Sequence, residues 1–143
     1  MILISHRGNI DGKQPNDENS PYYITNALNH GYDVEVDVWW YNNSFYLGHD
    51  KPMYKVDPEY LQNYKLWCHA KNLEAIIQMK KHTCNIHYFW HQRDDITLTS
   101  RGYVWAYPGK QSIDGSIAVL PEIYNDDISS CIGICSDKIC DYE

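Results

Sequence analysis

The chain has 143 residues, 43% of them hydrophobic, and 12 Lys and Arg against 19 Asp and Glu give a net charge of −7. That length predicts one domain over residues 1–143 with a core of its own. The acidic balance and scattered basic residues argue against nucleic acid, whose phosphates are gripped by clustered Lys and Arg. Met1-Ile2-Leu3-Ile4 is too short for the apolar region of a signal peptide, and no apolar run approaches the roughly 18 residues that span a bilayer. The expectation is a cytoplasmic protein without stable membrane insertion.

Ile2 to Ser5 reads as a buried strand whose C-terminal end opens into the polar triplet His6-Arg7-Gly8. A loop over 9–19 ends at Ser20-Pro21, a helix cap followed by a proline suited to the first helical position. Ile24, Ala27 and Leu28 keep helical spacing until Gly31. Asp33 to Trp39 is the next strand, which completes a βαβ unit and implies a parallel sheet. Asn42-Asn43 turns the chain into a short strand over Ser44 to Gly48, delivering His49-Asp50 near Glu35 and Asp37.

Asp57-Pro58 starts a short helix to about Tyr64, Lys65 to His69 is a strand, and Asn72 caps a longer helix through Leu73, Ile76, Ile77 and Lys80. Beyond Asn85 the strands follow closely, at Asn85 to Trp90, Tyr103 to Tyr107, Ser116 to Leu120 and Ile132 to Cys135, with little room for helices. Polar residues collect after strand ends, as in an α/β barrel or open α/β sheet. A complete eight-fold barrel needs about 250 residues, so the prediction is a minimal or incomplete (β/α) barrel with several helices shortened or missing. Five cysteines, at 68, 84, 131, 135 and 140, form an odd set that favours reduced thiols over a disulfide framework. The spacing Cys131-x3-Cys135-x4-Cys140 lacks the paired C-x2-C and facing histidines of a structural zinc site.

Side chains alternate along a strand, so Glu35 and Asp37 share one face while Val34, Val36 and Val38 share the other. Taken alone, the two carboxylates are an ordinary solvated strand face, but the flanking valines and βαβ context speak for a strand covered on both sides. Two carboxylates aimed together need a cation between them. Phosphodiester cleavage needs charge stabilisation on phosphate oxygens, a base for the attacking hydroxyl and an acid for the leaving alkoxide. Glu35 and Asp37 suit a divalent cation, Arg7 a phosphate clamp, and His6 and His49 a proton-exchanging pair. Trp39, Trp90 and Trp105 are candidate pocket walls for a glycerol or choline-like group, though core packing is the commoner duty of tryptophan. His91 follows a strand end, where a site role and a structural hydrogen bond compete evenly.

The order His6-Arg7-Gly8, Glu18-Asn19, Glu35-x-Asp37 and His49-Asp50 resembles the glycerophosphodiester phosphodiesterase family, within the phospholipase-C-like phosphodiesterases built on a TIM barrel. The resemblance covers residues 2–50 and resumes over 131–139, where Gly133-Ile134-Cys135-Ser136-Asp137 looks like the family's closing Gly-Ile-x-Thr-Asp strand. It implies His6 and His49 as the acid/base pair, Arg7 as a phosphate ligand, Glu35 and Asp37 as metal ligands, and Glu18 as a further metal or site-organising carboxylate. It further implies Mg²⁺ or Ca²⁺, a TIM-type barrel, and cleavage of a small phosphodiester to a phosphomonoester and an alcohol. Attack would come from water or from the substrate's own hydroxyl through a cyclic phosphate.

One departure concerns the third strand, where the family commonly carries Glu-x-Lys and this chain has His69-Ala70-Lys71. Lys71 keeps the phosphate contact, while the carboxylate is replaced. His69 as a ligand would favour a transition metal; Glu122 from a later strand, or water, are the alternative donors. Two further readings share these residues, a lyase that leaves a cyclic phosphate and a non-catalytic phosphodiester-binding module. A shortened barrel exposes strand edges, and a homodimer is one way to cover them.

Overall fold

Val34, Val36 and Val38 are fully buried on one face of a nine-residue strand, while Glu35 and Asp37 are buried on the other. A strand with both faces covered belongs in the middle of a layered sheet, and this one is its organising element. The computed structural model describes residues 1–82 and 85–143. In chain order the elements are β1 (Ile2–His6), α1 (Pro21–Asn29), β2 (Asp33–Tyr41), β3 (Ser44–Leu47), β4 (Tyr54–Val56), α2 (Pro58–Leu61) and β5 (Leu66–Ala70). There follow α3 (Leu73–Lys81), β6 (Tyr88–Trp90), β7 (Ile96–Leu98), β8 (Val104–Ala106), β9 (Ile117–Val119) and β10 (Gly133–Ser136), with short 3-10 turns at Pro121–Ile123 and Ile139–Tyr142.

Seven strands run parallel in the order β6-β5-β2-β1-β10-β9-β8. Antiparallel additions flank them, with β3 on β2, β4 on β3 and β7 on β8. Asp33 to Glu35 of β2 pair with β1, and Val38 to Tyr41 pair with β3. Because Val34 to Val38 pair with β5 on the opposite edge, β1 and β3 meet end to end along one side of β2. Arg7 N–H bonds the Glu35 carbonyl at 2.9 Å and Gly48 N–H bonds the Asp37 carbonyl at 3.1 Å. Those two bonds bring the residues after β1 and after β3 to one place.

The sheet curls. Ile4, Trp67, Phe89, Trp105, Ile117, Val119 and Cys135, from six different strands, pack into one interior cluster. Phe89 of β6 and Trp105 of β8, at opposite ends of the parallel run, sit 4.7 Å apart between ring centroids. Gly133 leaves room on β10 for the side chains of its neighbouring strands, since a Cβ there would lie 2.7 Å from Ile117 Cδ1 and 3.0 Å from Ile2 Cβ. The seam between β6 and β7 has no strand ladder; Ser100 N–H bonds Tyr88 O and Thr97 Oγ–H bonds Trp90 O, each at 2.8 Å. The architecture is therefore α/β, a curled mixed sheet forming a half-barrel with few helices.

The helices cover the outer face over β2 and β5, where Ile24, Ala27, Ala75 and Met79 pack on the valines, Leu66, Cys68 and Ala70. Each buried Val, Leu, Ile or Met side chain there contributes about 1.5–3 kcal/mol. Both long helices start at the expected caps. Ser20 Oγ accepts from Tyr23 N–H at 3.2 Å and Asn72 Oδ1 from Ala75 N–H at 3.1 Å. Asn72 also bonds both backbone groups of Trp40, at 2.9 and 3.1 Å, tying α3 to β2. Helix α2 ends at Leu61 instead of Tyr64, and Asp57 supplies no capping hydrogen bond. Over β10 the cover is a 3-10 turn, with Ile139 and Tyr32 on Ile134. No helix among the described residues is long and apolar enough to cross a membrane. Cys68, Cys131, Cys135 and Cys140 are free thiols, and Cys84 lies outside the described residues.

His87 stands at the foot of the interior, 1% exposed, against Trp67 and hydrogen-bonded to Thr99 Oγ1 at 2.8 Å. Burial pushes its ring down to about 4, helped by nearby Arg101. An unfolded histidine titrates near 6.5, so the unfolded chain binds this proton first. The stability His87 confers is complete above about pH 6.5 and is lost as pH falls toward 4. Replacing His87 with Gln should flatten the decline of the urea midpoint between pH 7 and pH 4.5.

Candidate functional site

Glu35 and Asp37 project from β2 into the curl at 2% and 0% exposure. Strand β5 pairs in register, Asp37 opposite His69, so the parallel ladder itself sets the imidazole beside the carboxylates. His69 Nδ1 lies 3.3 Å from Asp37 Oδ1 and 3.6 Å from Glu35 Oε1. Its other nitrogen, Nε2, donates to the His91 carbonyl at 2.8 Å, and the ring stacks on Phe89 at 5.1 Å with planes 6° apart. One atom from each of Glu35, Asp37 and His69 falls within 4.8 Å of the others.

The turn after β1 builds the second wall. Arg7 adopts φ 57 and Gly8 φ 93, a left-handed pair that reverses the chain. A Cβ on Gly8 would meet Tyr23 Cδ1 at 2.7 Å. Arg7 Nε then reaches Asp37 Oδ2 at 3.0 Å, and one terminal nitrogen reaches Glu18 Oε2 at 3.3 Å. Asn19, fully buried, donates to Asp37 Oδ2 and accepts from Asp37 N–H, both at 2.9 Å. Glu18 is thus a site-organising carboxylate in this geometry; Asn9 and Arg7 hold it, and it is not part of the Glu35, Asp37 and His69 cluster.

His6 Nδ1–H donates to Asp137 Oδ1 at 2.7 Å, leaving Nε2 facing Glu35 Oε2 at 3.7 Å. Asp137 accepts also from Asn9 Nδ2 at 2.8 Å and pairs with Lys13 at 3.7 Å. Sequence reasoning placed Asp137 on the closing strand without a role. Its partner lies 131 positions away, and only the parallel pairing of β1 with β10 makes the contact visible.

These residues line a cavity of about 240 Å³ with His6, Arg7, Glu35, His49, His69 and Lys71 on its polar side. Lys71 Nζ stands 3.6 Å from Asp37 Oδ1. His49 is at the rim, its side chain 41% exposed and paired with Asp50 at 2.8 Å, and Trp39 Nε1–H holds the Gly48 carbonyl beneath it at 2.6 Å. The opposite wall includes Trp105, Tyr107 and Leu120. Trp90 instead packs outside on the helix-covered face. His91 joins the cavity wall, 5% exposed, with neither ring nitrogen hydrogen-bonded. Glu122 is not brought to the site. Leu120 takes φ 46, the chain turns into the 3-10 segment, and Glu122 accepts from Ser136 Oγ at 2.8 Å and Tyr142 OH at 3.4 Å.

Burial alone would raise the Asp37 carboxyl, but His69, Arg7 and Lys71 outweigh it and hold the group well below the usual carboxylate range. Burial likewise opposes charge on His69, and the two carboxylates overcome it, lifting the ring to about 9. Arg7 is raised against the effect of burial by Asp37, Glu35 and Glu18. Asp137 is lowered despite its burial, chiefly by its bond to His6. A divalent cation fits this donor set. Asp37 Oδ1 and Glu35 Oε2 are buried without a hydrogen-bond partner, their neighbours being His69 and Lys71 at 3.3 and 3.6 Å and His6 at 3.7 Å, and buried carboxylate oxygens left without hydrogen bonds are costly, which a cation would relieve. The two carboxylates and His69 are the residues that would hold it.

Asn19 is the part of this network whose removal is simplest to measure. Asn19→Ala strands the buried Asp37 N–H and should lower the unfolding free energy by about 1–3 kcal/mol in urea titrations. Asn19→Asp, which sets a second anion on Asp37, should cost more than Asn19→Ala. Comparison with protein-family models, characterised proteins and solved structures finds no match to this chain.

Proposed function

We propose that the chain is a metal-dependent phosphodiesterase acting on small glycerophosphodiester-type substrates and releasing a phosphomonoester and an alcohol. The observation that carries this reading is the meeting of an orphaned Glu35 oxygen with Arg7, Lys71 and His6 around one cavity, with the fully buried Asp37 held against Arg7 and Lys71. The half-barrel is then a reduced TIM-type barrel, with Arg7 and Lys71 just after the C-terminal ends of β1 and β5, as such barrels place their chemistry, and Glu35 and Asp37 within β2 beside them.

The bound cation would neutralise charge that develops on the phosphate oxygens. Arg7 spends Nε on Asp37 and one terminal nitrogen on Glu18, which leaves its remaining N–H groups for phosphate oxygens in a fixed orientation. Lys71 adds a point charge from the β5 side. Asp137 keeps the Nδ1 proton on His6, so Nε2 is the nitrogen that exchanges a proton inside the cavity. His49, at the rim, exchanges the other proton. Attack by water, or by a neighbouring hydroxyl of the substrate, forms one P–O bond as the P–O bond to the leaving alcohol breaks; in the second case water then attacks the cyclic phosphate and breaks a ring P–O bond to give the phosphomonoester. One histidine takes the nucleophile's proton while the other gives a proton to the departing alkoxide.

The test is phosphomonoester release from glycerophosphodiesters with an added divalent ion, followed by phosphorus NMR. Turnover should stop with EDTA, and His6→Ala should lower kcat by about 10²–10⁴-fold. Full activity in His6→Ala and His49→Ala would reject the assignment. A cyclic phosphate that persists would reassign the chain as a lyase, and binding without cleavage as a phosphodiester-binding module.

A further inference from the structure

We propose that the site selects a borderline transition-metal ion of the Co²⁺ or Zn²⁺ class over Mg²⁺ and Ca²⁺, and that His69 is the residue that imposes the choice. The inference rests on the metal reading of the cavity and is independent of turnover. Ca²⁺ takes about 6–8 oxygens and often a bidentate carboxylate, and Mg²⁺ favours an octahedron of oxygens. Here the carboxylates cannot supply that many. Asp37 Oδ2 is committed to Asn19 at 2.9 Å and to Arg7 at 3.0 Å, so only Oδ1 is open. Two cationic side chains, Arg7 and Lys71, stand on the same carboxylate and lessen its pull on a hard ion.

The third donor is a nitrogen held in place. The His69 Nε2–H bond to the His91 carbonyl leaves Nδ1 as the nitrogen turned to the carboxylates, as outer partners of metal-binding histidines do. Stacking on Phe89 keeps the ring from swinging aside for water. Its separations of 3.3 and 3.6 Å from the two carboxylates match the edge of about 3.3 Å in a tetrahedron with ligand bonds near 2.0 Å. One imidazole and two single-oxygen carboxylates form a three-ligand set with a position open toward the cavity, the arrangement that late divalent ions accept.

The experiment titrates the metal-free full chain with Mn²⁺, Zn²⁺, Mg²⁺ and Ca²⁺ by calorimetry, and records nitrogen coupling in the electron spin echo of the Mn²⁺-loaded protein. Every site favours late ions to some degree, so the deciding quantity is the change made at His69. In His69→Gln, Mn²⁺ and Zn²⁺ binding should weaken beyond the about 10–100-fold that loss of an outer partner costs. His69→Glu, which restores an oxygen donor, should bind Mg²⁺ and Ca²⁺ more tightly than the wild type, and its Mn²⁺ echo should lose the nitrogen signal. An unchanged ratio of Zn²⁺ to Mg²⁺ affinity in both variants, or nitrogen coupling that persists in His69→Glu, would overturn the proposal. Hydrolysis without this preference removes the inference alone. Nitrogen-coupled metal without hydrolysis removes the phosphodiesterase reading alone, and failure to bind any cation removes both.

Discussion

A single buried carboxylate, Asp37, is the point from which the rest of the interior is arranged. It is fully removed from solvent and carries charge there, which is tolerable only because Arg7, His69, Lys71 and Asn19 converge on it from three separate segments. Breaking such a pair on one side leaves an uncompensated charge, a penalty of about 3–5 kcal/mol. The segments that provide the partners are therefore locked to one another through it. The first loop, β5 and the turn after β1 each end in a group that answers this charge.

The curled sheet makes that convergence geometrically possible. A flat sheet would spread β1, β5 and β8 across a plane, whereas the curl gathers their inward side chains over one cavity. Below the polar layer lies an aromatic one, Trp67, Phe89 and Trp105, with His87 beside it. This layer takes the place of helices after β6, where 3-10 turns are the only helical cover among the described residues. Rigidity on that side comes from rings packed within the curl.

Much of this was readable in the residues. Alternation in β2, the Ser20-Pro21 and Asn72 caps and the turn at Asn42-Asn43 are local signals, and local physics decided them. Strands β4 and β7 were not read, because three residues with pairing on one edge leave no periodic pattern. The site shows the same division. His6, Arg7, Glu35, Asp37 and His49 group together in the sequence because they lie at strand ends or on one face of a strand within the first fifty residues. His69 and Glu122 stayed as alternatives, and only the β2–β5 register and the left-handed turn at Leu120 separated them. Asn9, Asn19 and Asp137 carried no signal of their roles, since an amide or a carboxylate gains meaning only from the partner it faces.

The end-to-end meeting of β1 and β3 along β2 divides labour within two residues. The carbonyls of Glu35 and Asp37 hold the backbone of Arg7 and Gly48, while the Glu35 side chain lines the cavity and that of Asp37 is buried against Arg7, His69 and Lys71. Main chain is scaffold and side chain is reagent at the same positions. Altering Glu35 thus changes a group that faces the cavity while those two backbone bonds, on which the settings of His6 and His49 depend, keep both of their partners. A natural variant at Glu35 would inherit the same paired placement of His6 and His49, whereas one at Asp37 would also lose the charge that ties three segments together.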